Sequence, residues 1–180
     1  MDARSLFRYL KNGGVVAYPT ESCYGLGCDP NNRAAVKKIL RMKKRPQTKG
    51  LILVAARFKQ LQPFITPLSK EQIAKAQSVW PGPHTWLMPA RKHCPAWLTG
   101  NHTTLAVRIT AHPDTARLCK NAGMALVSTS ANLSGGKAAR TARHCRALFG
   151  NQVLIMPGLV GHQRKPSTIQ DFLTGHIIRS

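Results

Sequence analysis

Tyr18-Pro19-Thr20-Glu21-Ser22-Cys23-Tyr24-Gly25-Leu26-Gly27-Cys28-Asp29-Pro30 is the stretch around which the chain organises. It follows Gly14-Val15-Val16-Ala17, a short apolar run with the character of a buried strand, and then breaks into polar residues punctuated by glycine. In α/β proteins the loop leaving a strand end is where ligands sit. Two of the six acidic residues, Glu21 and Asp29, lie in this stretch. Lys43, Arg45 and Lys49 follow near the end of the next predicted helix. A polar loop beside a cationic helix end predicts a phosphate-handling site between the two.

On the N-terminal side, residues 2–12 carry Leu6, Phe7 and Leu10 at helical spacing and stop at Asn12-Gly13-Gly14, ahead of a strand over 14–18. On the C-terminal side, residues 31–44 read as a helix with Val36, Ile39 and Leu40 inward and Arg33, Lys37, Arg41 and Lys44 outward. Lys43 continues the inward stripe, so it faces a site rather than bulk water. Strands are predicted over 51–56, near Thr85, over 105–109, 124–127 and 153–156, and at Ile177-Ile178-Arg179. Between them lie helices near 57–62, 69–79, 113–121 and 141–149, with Pro113 in a first turn and Thr141 as an N-cap. Strands alternating with helices indicate one α/β domain over 1–180, with no internal repeat or linker.

Composition narrows the partners. Hydrophobic content of 43% is that of a globular chain, and 27 basic against 6 acidic residues give a formal charge of +21. Such a field attracts polyanions, nucleic acid first. The five cysteines (Cys23, Cys28, Cys94, Cys119, Cys145) form no C-x-x-C pair, which points to reduced thiols and away from a zinc site or disulfide framework. No apolar leader precedes Arg4, and the run Leu51–Ala56 is far too short to span a bilayer. A cytoplasmic protein with no membrane partner is expected. Trp80, Trp86 and Trp97 beside Arg91 and Lys92 admit a base-stacking reading, but with 11 aromatics in 180 residues the core-edge reading is the better one.

The chain has no P-loop, no complete dinucleotide fingerprint and no G-x-S-x-G elbow. Its scarcity of acids makes a two-metal carboxylate site hard to assemble, so a divalent ion would take most of its oxygen ligands from substrate phosphates. Catalysis would then rest on positioning and positive charge around a phosphoryl group. Lys43, Arg45, Lys49, Arg108 and Arg179 are the candidate cations. Arg108 sits inside an apolar strand, either paired across the sheet or exposed in a cleft. With few acids to pair it, an anionic ligand gains weight. Ser128, Thr129, Ser130 and Asn132 supply hydroxyl and amide groups, although Ser128–Asn132 alone reads as a turn or helix cap.

Pro19-Thr20-Glu21 with Tyr24-Gly25-Leu26-Gly27, Lys43-x-Arg45-Pro46, Pro81-Gly82-Pro83-x-Thr85, Ala106-Val107-Arg108, Ser128-Thr129-Ser130-Ala131-Asn132 and Pro166-Ser167-Thr168-Ile169 occur in this order. In that order they resemble the YrdC/TsaC family, the threonylcarbamoyl-AMP synthases of tRNA modification. The resemblance implies a twisted mixed α/β sheet with flanking helices and a basic concave face. It implies formation of threonylcarbamoyl-adenylate and pyrophosphate from L-threonine, bicarbonate or CO2, and ATP with Mg2+. Partner proteins would then move the threonylcarbamoyl group to the adenosine beside the anticodon. By the same resemblance, Thr20, Arg108 and Ser167 face threonine. Lys43 and Arg45 hold the triphosphate, with Lys49 beside them. Ser128, Ser130, Asn132 and Arg179 face the nucleotide, and Lys43, Arg45, Ser130 and Asn132 carry the chemistry. The opening stretch thereby becomes the amino-acid side of the site.

Two alternatives stand beside this reading. One is a non-catalytic RNA-binding or ribosome-assembly factor that uses the basic faces Arg33/Lys37/Arg41 and Arg140/Arg143/Arg146, which would also allow direct binding of tRNA or double-stranded RNA. The other is a carbamoyl-adenylate domain acting on a different acceptor, as in hydrogenase-maturation proteins. Cys23 and Cys28 read as small packing residues with no base beside them.

Overall fold

The computed structural model describes residues 1–180. In chain order the elements are α1 (Ala3–Lys11), β1 (Val16–Pro19), β2 (Tyr24–Gly27), α2 (Arg33–Met42), β3 (Ile52–Ala55), α3 (Lys70–Gln77), β4 (His84–Pro89), α4 (Ala96–Thr99), β5 (Thr104–Ile109), α5 (Pro113–Ala122), β6 (Leu126–Ser130), α6 (Ala142–Phe149), β7 (Leu154–Ile155), β8 (Thr168–Asp171) and β9 (Ile177–Arg179). The nine strands form one mixed sheet in the order β7-β1-β2-β6-β3-β5-β4-β8-β9. Parallel pairs join β1 to β7, β3 to β5 and β4 to β8, and the remaining pairs are antiparallel.

Side-chain alternation along the strands sorts the two faces. Leu26, Leu53, Ala55, Trp86, Val107 and Val127 point to one face, where Val36 and Ile39 of α2, Cys145 and Phe149 of α6 and Ala76 of α3 complete the main core. Val16, Tyr18, Val54 and Leu126 point to the other and pack under Leu6 and Leu10 of α1 and Leu118, Cys119 and Ala122 of α5. Those two helices cover only part of that face. Further along the same strands the residues facing that side are Gly25, Ile52, Ala106 and Ser128, small or lightly apolar, bordered only by Leu98 and Thr99 of the short α4. The functional site opens on this uncovered strip.

Several elements differ from the sequence reading, each for a tertiary reason. The opening stretch is a β-hairpin: Tyr24–Gly27 is strand β2, paired with both β1 and β6, and only Thr20–Cys23 is loop. Its glycines escape strand propensity because neighbours occupy the space of their side chains. A Cβ on Gly27 would sit 2.6 Å from the Val127 carbonyl oxygen and 2.8 Å from the Tyr18 ring. Ser128–Ser130 belongs to β6 rather than to a turn, held by Ile52 opposite Ser128 and Gly25 opposite Ser130. Thr168–Asp171, read as the end of a loop, is strand β8 beside β4. In α1, Leu6 and Leu10 are buried while Phe7 faces out, with the Lys11 ammonium 5.6 Å from its ring centre.

Helix α2 ends in a Schellman turn that aims the next cations. The Lys44 amide donates to Arg41 O at 3.0 Å and the Arg45 amide to Leu40 O at 2.9 Å, and Lys44 carries the positive φ, 49°, that such a turn requires. Glycine usually occupies that position, because an L side chain there costs about 1 kcal/mol. Lys44→Gly is therefore expected to raise the thermal midpoint by about 2–4 °C, as read by calorimetry. An unchanged or lowered midpoint would show that Lys44 makes a compensating interaction.

Candidate functional site

A cavity of about 610 Å³ lies on the uncovered strip. Its floor is Gly25, Ile52, Ala106 and Ser128, and it has the size of a small-molecule site. Thr20, Arg45, Lys49, Arg108, Ser128, Ser130, Asn132, Ser167 and Arg179 all line it. Nine of the ten residues given a role by the resemblance thus line one cavity, although they come from six separate stretches of chain. Lys43 stands just behind its wall.

One cluster is built where the sheet curls. The tip of the β1–β2 hairpin reaches the far end of β5, several strands away in sheet order. Thr115 Oγ1 donates to Pro19 O at 2.5 Å, and Glu21 Oε1 accepts from Thr110 Oγ1 at 2.7 Å and from the Ala111 amide at 3.1 Å. Such closure follows from the right-handed twist of a many-stranded sheet. Thr20 is locked by its own loop: its amide and its hydroxyl both donate to Cys23 O, at 2.9 and 2.8 Å. Gly161 lets the segment after β7 lie across this loop, its amide donating to Thr20 O at 2.9 Å where a Cβ would meet Glu21 O at 2.7 Å.

Arg108 is 7% exposed, and its nearest acid is Glu21, with Nη1 3.3 Å from Oε2. Both possibilities read from the sequence therefore hold: Arg108 is paired, and it also lines the cavity. No hydrogen bond satisfies its buried Nε. Burial pushes the Glu21 carboxyl up, but Arg108, the Thr110 hydroxyl and the Ala111 amide outweigh it and hold it below the ordinary glutamate value. Beside Arg108, Ser167 shares a 2.8 Å hydrogen bond with Thr85. Arg179 clasps Ser167 from strand β9, with Nε and Nη2 donating to its carbonyl at 3.1 and 2.7 Å. Burial, then the charge of Arg108, lowers the Arg179 guanidinium pKa.

The second cluster gathers around the turn after β6. Lys43 Nζ donates to Ser130 O, and also to Asn132 O and Asn132 Oδ1, both at 2.9 Å. Ser130 Oγ donates to Asn132 Oδ1 at 2.6 Å, and Asn132 Nδ2 closes the turn on Leu133 O and Gly136 O at 2.9 and 2.8 Å. Lys43 is thus a prop for the Ser130–Asn132 turn, and its ammonium does not reach the open cavity as its inward stripe predicts. Arg45 Nη2 donates to Gly50 O at 3.0 Å, while its buried Nε has no partner. Gly50 and Gly100 let the two loops at this end touch, since a Cβ on Gly100 would lie 2.4 Å from Thr48 O. Lys49 is exposed at the rim.

Three acceptor oxygens around Nζ call for all three N–H groups of an ammonium. Burial, then Arg45, pushes the Lys43 pKa down to about 8. The charge is present at neutral pH and is lost as the pH rises past 8. A polyphosphate bound beside the turn would restore it. Nucleotide binding at pH 8.5 is therefore expected to take up a proton, and affinity should fall as pH rises. Calorimetry in buffers of different ionisation enthalpy reads the uptake directly, and Lys43→Arg should abolish it.

Other residues lie away from this chemistry. Asp29 is structural: its Oδ2 lies 2.8 Å from Lys11 Nζ and its Oδ1 accepts from the Asn31 amide at 2.9 Å. Cys23 lines the cavity and Cys28 is buried; burial raises both thiols, so neither is a thiolate. Trp80 and Trp86 are buried in the core, and Trp97 donates from Nε1 to Pro30 O at 3.0 Å, so the three form no stacking platform. Two functional features escaped the sequence reading. His102 and Thr104 line the cavity from the start of β5, and Glu21 backs Arg108. The polar run Asn101–Thr104 ahead of an apolar strand was the only signal for the first, and no spacing rule signals the second.

Residues 8–180 match the Sua5/YciO/YrdC family model, described as telomere recombination. A threonylcarbamoyl-AMP synthase of Methylobacillus flagellatus is 59% identical over 179 residues, covering 99% of both chains. One from Thiobacillus denitrificans is 53% identical over 175 residues, covering 97% of this chain and 93% of the other. Among solved structures, P. abyssi Sua5 complexed with L-threonine superposes with a TM-score of 0.85 at 32% identity over 94% of this chain. The chain spans 50% of that longer protein. E. coli YciO shares the fold, with a TM-score of 0.83 at 24% identity over 99% of this chain and 89% of the other.

Proposed function

Because the chain belongs to the Sua5/YciO/YrdC family, we propose that its cavity performs the reaction for which its most similar relatives are named, threonylcarbamoyl-AMP synthesis. The protein is an enzyme of the adenylate-forming, nucleotidyltransferase type and serves tRNA threonylcarbamoyladenosine formation. Its substrates are ATP, L-threonine and bicarbonate or CO2. The observation that carries this reading is Arg108, a guanidinium buried in a strand, short of hydrogen bonds and open to the same cavity as Arg45 and Lys49. A carboxylate at one end and a triphosphate at the other fit that pair of clusters.

Arg108, Thr20 and Ser167 hold threonine with its amine toward the middle of the cavity. The amine, as its free base, adds through nitrogen to CO2, the nitrogen releases a second proton to solvent, and a carbamate results. A carbamate oxygen then attacks the α-phosphorus; the bond to the bridging oxygen breaks and pyrophosphate leaves. Arg45 and Lys49 stabilise the charge that develops on the leaving group, and Ser130 and Asn132, held by Lys43, orient the reacting atoms. No covalent enzyme intermediate is needed. Ser128 and Arg179 complete the nucleotide's surroundings.

No three His, Cys, Asp or Glu side chains group closely enough to hold a metal ion. The Ser130 hydroxyl oxygen is the wall group that could meet a magnesium ion held mainly by ATP phosphates, since Asn132 Oδ1 already accepts from Lys43 Nζ and Ser130 Oγ. That ion would neutralise phosphate charge. Incubation with ATP, L-threonine and bicarbonate should give the adenylate and pyrophosphate by mass spectrometry. Absence of both with folded protein overturns the proposal.

A formal charge of +21 exceeds what one nucleotide needs. Only Lys11, Arg108 and Arg117 are paired with an acid. The exposed stripe Arg33, Lys37 and Arg41 and the stripe Arg140, Arg143 and Arg146 accordingly favour direct contact with tRNA or double-stranded RNA. Hand-over to the proteins that consume the adenylate would occur in the cytoplasm. No helix is long and apolar enough to cross a membrane.

A further inference from the structure

Of the cations on the cavity wall, Arg108 alone has a carboxylate against it. The other ion pairs, Lys11–Asp29 and Arg117–Asp114, lie outside the cavity, and Arg45, Lys49 and Arg179 have no acidic partner. Glu21 is not on the wall. It stands behind Arg108, with Oε1 held by Thr110 Oγ1 and the Ala111 amide and Oε2 3.3 Å from Nη1. The two side chains are 9% and 10% exposed, so their attraction is little screened.

The contact neutralises without occupying. Oε2 makes no hydrogen bond to Arg108; the unpartnered Nε is sealed from the cavity, and it is the Nη groups, which make no hydrogen bond either, that remain for a ligand. An unpaired arginine in a chain of this charge would collect any small oxyanion, and the phosphates of ATP would compete for it. A pair of opposite charges presents a dipole instead. Its lowered net charge attracts a simple anion less, while the fork of Arg108 still matches the carboxylate of a zwitterion.

We propose that Glu21 is a positioning and selectivity residue. It offsets Arg108 at the amino-acid end, where Arg179 is the remaining unpaired cation, so that this end is less positive than the polyphosphate end and binds oxyanions more weakly. The inference rests on the assignment of threonine to Arg108 made above, and that assignment has its own test in product formation by the wild-type protein.

Glu21→Gln keeps the shape and the acceptor for Thr110 but removes the charge. Pyrophosphate release is followed with sodium sulfate as the probe anion. In the wild-type protein sulfate should compete with ATP and not with threonine. In the variant it should compete with both. The threonine KM should rise about tenfold while the ATP KM changes less than about twofold, since tenfold corresponds to about 1.4 kcal/mol, within reach of one such charge. Thr110→Val retains both charges and removes one hydrogen bond. It should raise the threonine KM without admitting sulfate. Identical sulfate patterns in wild type and Glu21→Gln sink the proposal. If that variant does not fold, the wild-type pattern still decides: sulfate competing with threonine at or below the threonine KM overturns it. A wild type that makes no adenylate refutes the underlying assignment instead.

Discussion

Arg108→Ala is expected to lower kcat/KM for threonine by about 10²- to 10³-fold and to destabilise the fold by about 3 kcal/mol. Both effects follow from one geometry. The substitution removes the charged fork that would grip a carboxylate, and it strands Glu21 as a buried charge with only the Thr110 hydroxyl and Ala111 amide to hold it. The stability cost should shrink at acid pH. Without Arg108, burial raises the Glu21 pKa in the folded chain, so protonation on acidification relieves the penalty. Urea unfolding at two pH values reads this, and pyrophosphate release reads the catalytic loss. Arg108→Lys should recover part of the stability and little of the activity, because an ammonium keeps the charge but not the two-pronged geometry. Full activity in Arg108→Ala would remove threonine from this end of the cavity.

The second large effect is expected at Lys43. Its ammonium serves Ser130 O, Asn132 O and Asn132 Oδ1 at once. Lys43→Met fills a similar volume but leaves Asn132 O without a donor, while Ser130 O keeps the Asn132 amide and Asn132 Oδ1 keeps the Ser130 hydroxyl, at a cost of about 1–3 kcal/mol. The greater consequence is positional. The Ser130–Asn132 turn loses its prop, and kcat should fall by about 10²-fold, the loss typical when a preorganised polar group is displaced. RNA affinity should barely change, because one charge of +21 is removed and Lys43 is buried. Filter binding to tRNA alongside the turnover assay separates the two readings. Loss of turnover with retained RNA binding supports the enzyme, and parallel loss of both would favour an RNA-binding protein.

Much of this arrangement was legible in the linear chain. Val36, Ile39 and Leu40 fixed the inner face of α2, and Thr141 and Pro113 marked the starts of α6 and α5, because helix periodicity and capping are local. Spacing along α2 also placed Lys43 inward. Short strands were harder. Tyr24–Gly27 contains two glycines and Ser128–Ser130 is polar, so local propensity argues against both, and only pairing with β1, β3 and each other makes them strands. Strand β8, next to a Pro-Ser turn, depends likewise on β4.

By itself the sequence determined the α/β class, the cationic character, the lack of acids for a carboxylate-built metal site and the identity of the residues that meet in the cavity. The first three are carried by composition and by local pattern, whereas the set of cavity residues came largely from the resemblance of six ordered motifs to a known family. What only the tertiary structure decided is the division of labour among them. The twist of the sheet carries the Thr20–Cys23 tip across to the end of β5, so that Glu21 neutralises Arg108 and the opening stretch serves the amino-acid end. Lys43 closes on the Ser130–Asn132 turn because burial leaves its ammonium no better partner than those oxygens. Pairings of this kind depend on contacts far apart in the chain, which no local rule encodes.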